Sequence, residues 1–345
     1  MGNKLKILVT GAGAPGGPGI IKSLKSIENF IVYGADIDIN ATGKYLVDNF
    51  FQISRPEEKN FISNLLEICL NNGINVIVPL VTKELFVLSK SRDDFKKNGI
   101  KILVSENRAL HIANDKANLY QILSDSDVLL PDFRIVKTKE DLIAAVQNLG
   151  YPANTVVIKP ARGNGSRGIR IINSNKDRYD LLFNEKPSSL YSSLDDYLDA
   201  IGDKPIPDLV VSEFLPGEEV TVDCLVVNDS AKVILVRERD SIREGISVAG
   251  HFIRSKEIEE QVKTIISKIP GLFGPIGFQF KKSYSGNFGL LESNPRLQGT
   301  CVAALGLGYN IPQQSINICM DQNIDLPSRL EGIYFRRYYS EIFYE

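Results

Sequence analysis

Short apolar runs alternate with helix-period stretches through the first third of the chain. KILVT (6–10) ends in a glycine-rich turn, an apolar-periodic stretch predicts a helix from Gly19 to Ile27, and FIVYGADI (30–37) follows as a second strand. Helices over Glu57–Asn71 and 83–97 lead into the strands NVIVPL (75–80) and KILVS (101–105). Strands this short and this apolar belong in a parallel sheet covered on both faces, so residues 1–112 read as a doubly wound α/β domain. Asn114-Asp115 then caps a helix to about Leu123, and FRIVK (133–137) precedes a capped helix from Thr138 to Leu149.

From Thr155 the pattern changes. TVVIKPA, GIRIIN, DLVVSEFL, EVTVDCLVV and KVILVRER are strands separated by glycine-rich or hairpin-length gaps, which predicts antiparallel sheet. The stretch 174–208, with KPSS and KPIP, reads as a loosely organised connection or lid edge. A helix (256–268), the strands GPIGFQFKK and FGLLESNPR around a Ser-Gly-Asn turn, and a last helix (313–321) complete the body, with no internal repeat. The expected division is an α/β domain over 1–112, a small lid subdomain with a glycine-rich loop over 113–208, and a C-terminal subdomain over 209–345, the last two α+β with antiparallel sheets.

Composition narrows the chemistry. Of 345 residues, 43% are hydrophobic and 24% charged, which excludes a mostly disordered chain. A balance of 40 basic against 42 acidic residues gives no global field toward nucleic acid or an anionic membrane. Only His111 and His251 are available, too little for a histidine-rich metal site or a Ser-His-Asp triad, so chemistry rests on Lys, Arg, carboxylates and backbone. Cys69, Cys224, Cys301 and Cys319 form no C-x-x-C pair and fit a reducing cytoplasm. No apolar run approaches the ~18 residues that span a bilayer, and MGNKLKILVTGAG runs directly into a strand. The expected setting is cytoplasmic, with small-molecule partners and neither nucleic acid nor membrane.

Four segments carry candidate chemistry. Gly11-Ala12-Gly13-Ala14-Pro15-Gly16 satisfies G-x-G-x-x-G after a strand, with Asp36 and Asp38 ending the next one; this suits a dinucleotide, or equally a βα turn used for packing, and Pro15 and Pro18 crowd it. Lys159 ends the strand VVIK and precedes Gly163, Gly165, Ser166 and Gly168, a loop able to lay N–H groups over phosphate oxygens, or else a solvated hairpin. Glu213-Phe214-Leu215-Pro216-Gly217 breaks an apolar strand, exposing backbone that reads an adenine edge or forms a plain turn, and carboxylates follow a few residues on. Gln279 and Glu292 sit on strands of one hairpin, with Asn294 on the face of Glu292, so three oxygen ligands converge as Mg²⁺ or Mn²⁺ shared with phosphates requires. Arg296 is next on that face, suited to a transferred phosphoryl group; the bland reading is an Asn-Pro turn with a solvated arginine. Arg237, Arg239 and Arg243 on one hairpin suit a substrate carboxylate, or surface pairing with Glu238, Asp240 and Glu244.

In this order the segments resemble the ATP-grasp superfamily, and most closely single-module relatives of the carbamoyl-phosphate synthase large subunit. The resemblance runs from LVTGAGAPGGPG, as a pre-ATP-grasp domain, to a closing strand near Tyr334–Arg337. It implies ATP with Mg²⁺ or Mn²⁺ as cofactors, Lys116 and Lys159 on the nucleotide phosphates, and Gly163, Gly165, Ser166 and Gly168 in a mobile lid. Glu213 and Leu215 would meet adenine, Glu219 the ribose, Gln279, Glu292 and Asn294 the metal, and Arg296 the phosphorylated intermediate. Glutamine at the first metal position matches the carbamoyl-phosphate synthase branch. The implied reaction activates a carboxylate as an acyl phosphate, releasing ADP, and an amine then displaces phosphate; relatives of this build are often homodimers. The alternatives are bicarbonate or carbamate phosphorylation, a non-catalytic nucleotide-binding module, and an NAD-dependent oxidoreductase using the first glycine turn.

Overall fold

The computed structural model describes residues 4–163, 165, 167–186, 189–243 and 245–344. The first sheet is built from β1 (Leu5–Thr10), β2 (Phe30–Asp36), β3 (Asn49–Gln52), β4 (Val76–Pro79) and β5 (Lys101–Ile102), all parallel, in the order β3-β2-β1-β4-β5. Strand alternation sends Ile7 and Val9 to one core and Leu8 to the other. The helices are α1 (Gly17–Lys25), α2 (Phe61–Asn72), α3 (Thr82–Lys90), α4 (Arg92–Lys97), α5 (Asn107–Ala113) and α6 (Lys116–Leu123). The helix expected over 83–97 breaks at Ser91, and the strand expected over 101–105 pairs only at its first two residues. The half-exposed β3 and the short α5 lay below the hydrophobic pattern.

The second sheet combines β6 (Phe133–Val136), β7 (Val156–Pro160), β8 (Arg170–Ile172), β9 (Tyr191–Ser192) and β10 (Leu209–Glu213) in the order β6-β10-β7-β8-β9, antiparallel except for β8 with β9. It is covered by α7 (Lys139–Asn148), with α8 (Arg178–Phe183) and α9 (Leu194–Ile201) in the stretch expected to lack organisation. Since β10 lies between β6 and β7, this unit extends past the boundary expected at 208. Its core, with Leu142, Val146, Ile158, Ile172 and Val211, is its own. The segment 113–128, by contrast, packs Leu119, Tyr120 and Leu123 on the third sheet rather than in the lid.

That third sheet is antiparallel: β11 (Glu219–Val227), β12 (Ser230–Arg243), β13 (Ile246–Ile253), β14 (Gly274–Lys282), β15 (Phe288–Asn294) and β16 (Tyr334–Arg336), in the order β15-β14-β11-β12-β13-β16. Helix α10 (Lys256–Lys268) covers one face through Ile258, Val262 and Ile265. On the other face Leu225, Val233, Leu235 and Phe252 pack in one continuous core with Ile20, Ile21, Val76 and Val78 of the first domain. Helix α11 (Ile311–Cys319) joins that core. All four cysteines are free and buried.

Candidate active site

The site forms where α6, β7 and β15 meet. Asp115 caps α6, accepting from the backbone N–H groups of Ala117 and Asn118, and its second oxygen accepts from Arg162 Nε at 2.7 Å. The cap fixes the first turn of the helix, and with it Lys116, whose backbone N–H donates to the Ala161 carbonyl at 2.8 Å. Lys116 Nζ lies 3.1 Å from Glu292 Oε2 and donates to the Gly163 carbonyl at 3.2 Å. Opposite, Lys159 on β7 is only 5% exposed, with Nζ 2.8 Å from the Tyr120 hydroxyl.

A bulge in β15 completes this corner. Gln279 pairs with Glu292 but Phe280 pairs with Leu290, so Leu291 is an extra residue whose carbonyl leaves the ladder. That carbonyl accepts from Tyr120 Oη at 3.1 Å and from Lys159 Nζ at 3.4 Å. Tyr120 thus ties both strands to α6, a role the sequence reading missed. Its signal was the four-residue spacing from Lys116 in NDKANLY, which puts both on one helical face.

Burial and charge set the protonation states. Burial, and then the neighbouring Lys116 charge, push Lys159 down to about 7, with Glu292 partly opposing. Burial alone would raise Glu292; the Lys116 charge, hydrogen bonds from Asn294 and Lys116, and Lys159 outweigh it and hold the carboxyl below its usual range. Burial raises the Tyr120 phenol well above its ordinary value, keeping it a neutral donor.

Asn294 Nδ2 donates to Glu292 Oε1 at 3.0 Å, and Gln279 faces Glu292 across the ladder. Two amide carbonyls and one carboxylate form an oxygen-only donor set that fits Mg²⁺ or Mn²⁺. With one formal negative charge, the set suits an ion whose remaining ligands are phosphate oxygens and water. Arg296 donates through Nε to Thr82 Oγ1 at 3.3 Å and through Nη1 to the Leu297 carbonyl at 2.9 Å. Thr82 belongs to the first domain, an anchor that sequence separation hid.

Two cavities open from this corner. One runs between β7 and β10, lined by Lys116, Lys159, Glu213, Leu215, Glu219 and Lys281 among others. The other runs toward the first domain past Arg296, Gly299, Thr300, Thr82 and Pro15. Both are bounded by Gly165, Arg239, Gly245, Gln279 and Glu292, so one continuous cleft crosses the candidate metal ligands. Gly165 and Gly168 have φ of +66° and +77°, a backbone only glycine adopts freely, while Ser166 lies outside the described residues. Glu213 also holds β6, its Oε1 accepting from Asp132 N–H at 3.0 Å.

The three hairpin arginines separate. Arg239 lines both cavities, pairs with Glu219 and donates to the Gly245 carbonyl. Arg237 lines neither cavity: it is fully buried, 2.8 Å from Asp223 Oδ2 through Nη2, with the Phe252 and Phe335 rings against its guanidinium. Gln298 donates to the other oxygen of Asp223 at 3.1 Å, so Arg237 is a structural charge inside the shared core. Irregular pairing after Glu238 ends the alternation, and Arg243 points to solvent outside both cavities. Glu244, the other pairing partner considered, lies outside the described residues.

The first glycine turn is a packing joint. A Cβ on Gly16 would lie 2.3 Å from Gly299 Cα, and one on Gly17 would lie 2.4 Å from the Ala12 carbonyl oxygen. The close approach joins the first domain to the loop after Arg296.

Residues 7–103 match the family described as PylC-like, N-terminal domain, and residues 205–338 match that described as ATP-grasp in the biosynthetic pathway with Ter operon. Solved structures agree at low identity. N5-carboxyaminoimidazole synthetase from Staphylococcus aureus, complexed with ADP, is 18% identical with a TM-score of 0.70 over 94% of this chain and 79% of its own. The biotin carboxylase domain of the Hydrogenobacter thermophilus 2-oxoglutarate carboxylase, crystallised with MgADP, ADP and bicarbonate, gives 16% and 0.69 over 97% and 74%. L-amino acid ligase from Bacillus licheniformis gives 12% and 0.65 over 92% and 75%. At these identities the structures speak for the fold, and the two family matches name two parts of the chain: it carries a PylC-like N-terminal domain and, after it, an ATP-grasp domain.

Proposed function

We propose that the protein is an ADP-forming ligase that joins a carboxylate to an amine. The observation that carries this is the meeting of Lys116, Lys159 and Glu292 where the two cavities join, with Arg296 on the far side. Nucleotide lies in the cavity between β7 and β10, with adenine against the backbone of Glu213 and Leu215 and ribose on Glu219. Lys116 and Lys159 take the phosphates, and the loop through Gly163, Gly165, Ser166 and Gly168 covers them, excluding water from a hydrolysable acyl phosphate. Gln279, Glu292 and Asn294 hold Mg²⁺ or Mn²⁺, which when bound neutralises charge on the transferred phosphoryl group. The substrate carboxylate attacks the γ-phosphorus from the second cavity, the bond to the β–γ bridging oxygen breaks and ADP leaves, and Arg296 and Arg239 hold the resulting acyl phosphate. An amine then attacks its carbonyl carbon, expelling phosphate. The chain supplies position and charge rather than a nucleophile, which its scarcity of histidine and its buried thiols permit.

The compared structures, an ADP complex, a bicarbonate complex and an amino acid ligase, support this reaction class. We also infer a cytoplasmic setting, in keeping with four buried thiols, and a homodimer. Among the described residues no helix is long and apolar enough to cross a membrane. The test is phosphate release from ATP across acid and amine pairs. Lys159→Ala and Glu292→Ala, each folded by circular dichroism, are expected to lose turnover; near wild-type release from both overturns the assignment.

A further inference from the structure

A separate crevice opens in the first domain, at the carboxyl ends of β1, β2 and β4, where strand order reverses between β1 and β4. Open α/β sheets bind ligands at such a switch point. Asp36 ends β2 twenty residues after Gly16 and lines the crevice, 9% exposed. Its Oδ2 accepts from Gly13 N–H at 2.8 Å and its Oδ1 from Asp38 N–H at 3.0 Å. Each oxygen keeps a further acceptor direction, since an ionised carboxylate offers about four. Ile37, Ala41, Ile53 and Pro56 supply an apolar wall beside it, with Asn40 and Arg55 at the polar rim.

The phosphate half of a dinucleotide site is missing. Gly13 N–H is taken by Asp36, Ala14 N–H by the Gly11 carbonyl at 2.9 Å and Gly17 N–H by the Ala14 carbonyl at 2.7 Å. Pro15 and Pro18 have no N–H to offer, and Gly16 is pressed on Gly299. What survives is a carboxylate able to accept two hydroxyls beside an apolar wall.

We propose that this crevice is a second small-molecule site, taking a ribonucleoside with its vicinal diol on Asp36 and its base along Ile37 and Ile53, with no phosphate required. It lies outside the nucleotide half of the cleft, which uses β7, β10 and β15, and meets the second cavity at Ala14 and Val81.

The test is calorimetric titration of adenosine and uridine into protein saturated with Mg·ADP. The expected result is about one equivalent of added nucleoside, about tenfold weaker binding of 2′,3′-dideoxyadenosine, and a similar loss in Asp36→Asn. Ser54→Trp, which fills the crevice from its partly exposed rim, is expected to abolish binding and covers the case in which Asp36→Asn fails to fold. No binding of either nucleoside at millimolar concentration, displacement by ADP, indifference to Ser54→Trp, or tighter binding of AMP than of adenosine would each overturn the proposal. Failure of ADP to bind anywhere counts against the ligase reading alone, because the dependence of nucleoside binding on Ser54 and Asp36 does not require bound ADP.

Discussion

Lys159 gives a proton count that calorimetry can read. In the free protein, burial and the Lys116 charge bring Lys159 down to about 7. At pH 8 such a lysine is about one-tenth protonated. Phosphate oxygens favour the ammonium form, so nucleotide binding draws about 0.9 proton from the buffer at pH 8, about 0.5 at pH 7 and about 0.1 at pH 6. Titrating ADP with Mg²⁺ in buffers of different ionisation enthalpy gives this number as the slope of observed heat against that enthalpy. Linkage also sets the affinity: binding weakens by up to about tenfold per pH unit above 7 and is flat well below it. Lys159→Gln keeps much of the length but removes the titration, so the slope falls near zero. A wild-type slope that ignores pH, or one that survives in Lys159→Gln, refutes the reasoning.

Gly16→Ala is expected to cost about 1–3 kcal/mol, because its Cβ at 2.3 Å from Gly299 Cα must displace backbone in both domains; a melting temperature within a degree of wild type would contradict the joint. Thr82→Val removes the acceptor for Arg296 Nε while keeping the shape of the side chain. We expect kcat to fall several-fold with Kd for ADP unchanged, and equal loss in both would mean a general structural effect. Burial holds Glu84 up at about 7 against hydrogen bonds that lower it, with Asp36 adding to the rise. The folded state therefore keeps a proton that the unfolded chain releases between about 4.5 and 7. Stability from this group is full below that window and is lost as pH rises through it, by about 3 kcal/mol at most. Glu84→Gln should flatten that part of the pH–stability curve, and an unchanged slope would contradict it.

The parts of the site legible in the sequence were those with local spacing. Lys159 ends an apolar strand, Gln279 and Glu292 face each other across one hairpin, and Asp115 before an apolar helix marks a cap. Pattern also separates the parallel first sheet from the antiparallel ones, because fully apolar runs and hairpin-spaced runs differ on the page. What escaped depends on contacts between distant segments. Thr82 reaches Arg296 across 214 residues, and Tyr120 reaches the Leu291 carbonyl across 171. Arg237 and Arg239 stand two residues apart on one strand, and the distant Asp223, Phe252 and Phe335 make the former core while the latter is cleft wall. Strand β10 was assigned to the wrong unit because its pairing with β6 and β7 is non-local.

The division of the hydrophobic core carries a mechanical consequence. The first domain and the third sheet bury one another, so neither rotates without exposing residues such as Leu235 and Val78. The sheet of β6 to β10 has a core of its own on the face of α7, while Val210, Ala161, Phe133 and Ile135 join the core of the third sheet. It is tied to the rest by that packing and by the Lys116–Ala161 and Arg162–Asp115 bonds, as well as by the chain around Pro131 and Pro216. One half of the nucleotide cleft, with Lys159, is thereby held against the bed that carries Glu292, Asn294 and Arg296. Opening that cleft would expose Val210, Ala161 and Phe133 along with surface, so the bonds that order the site and the packing that stabilises the chain are the same contacts.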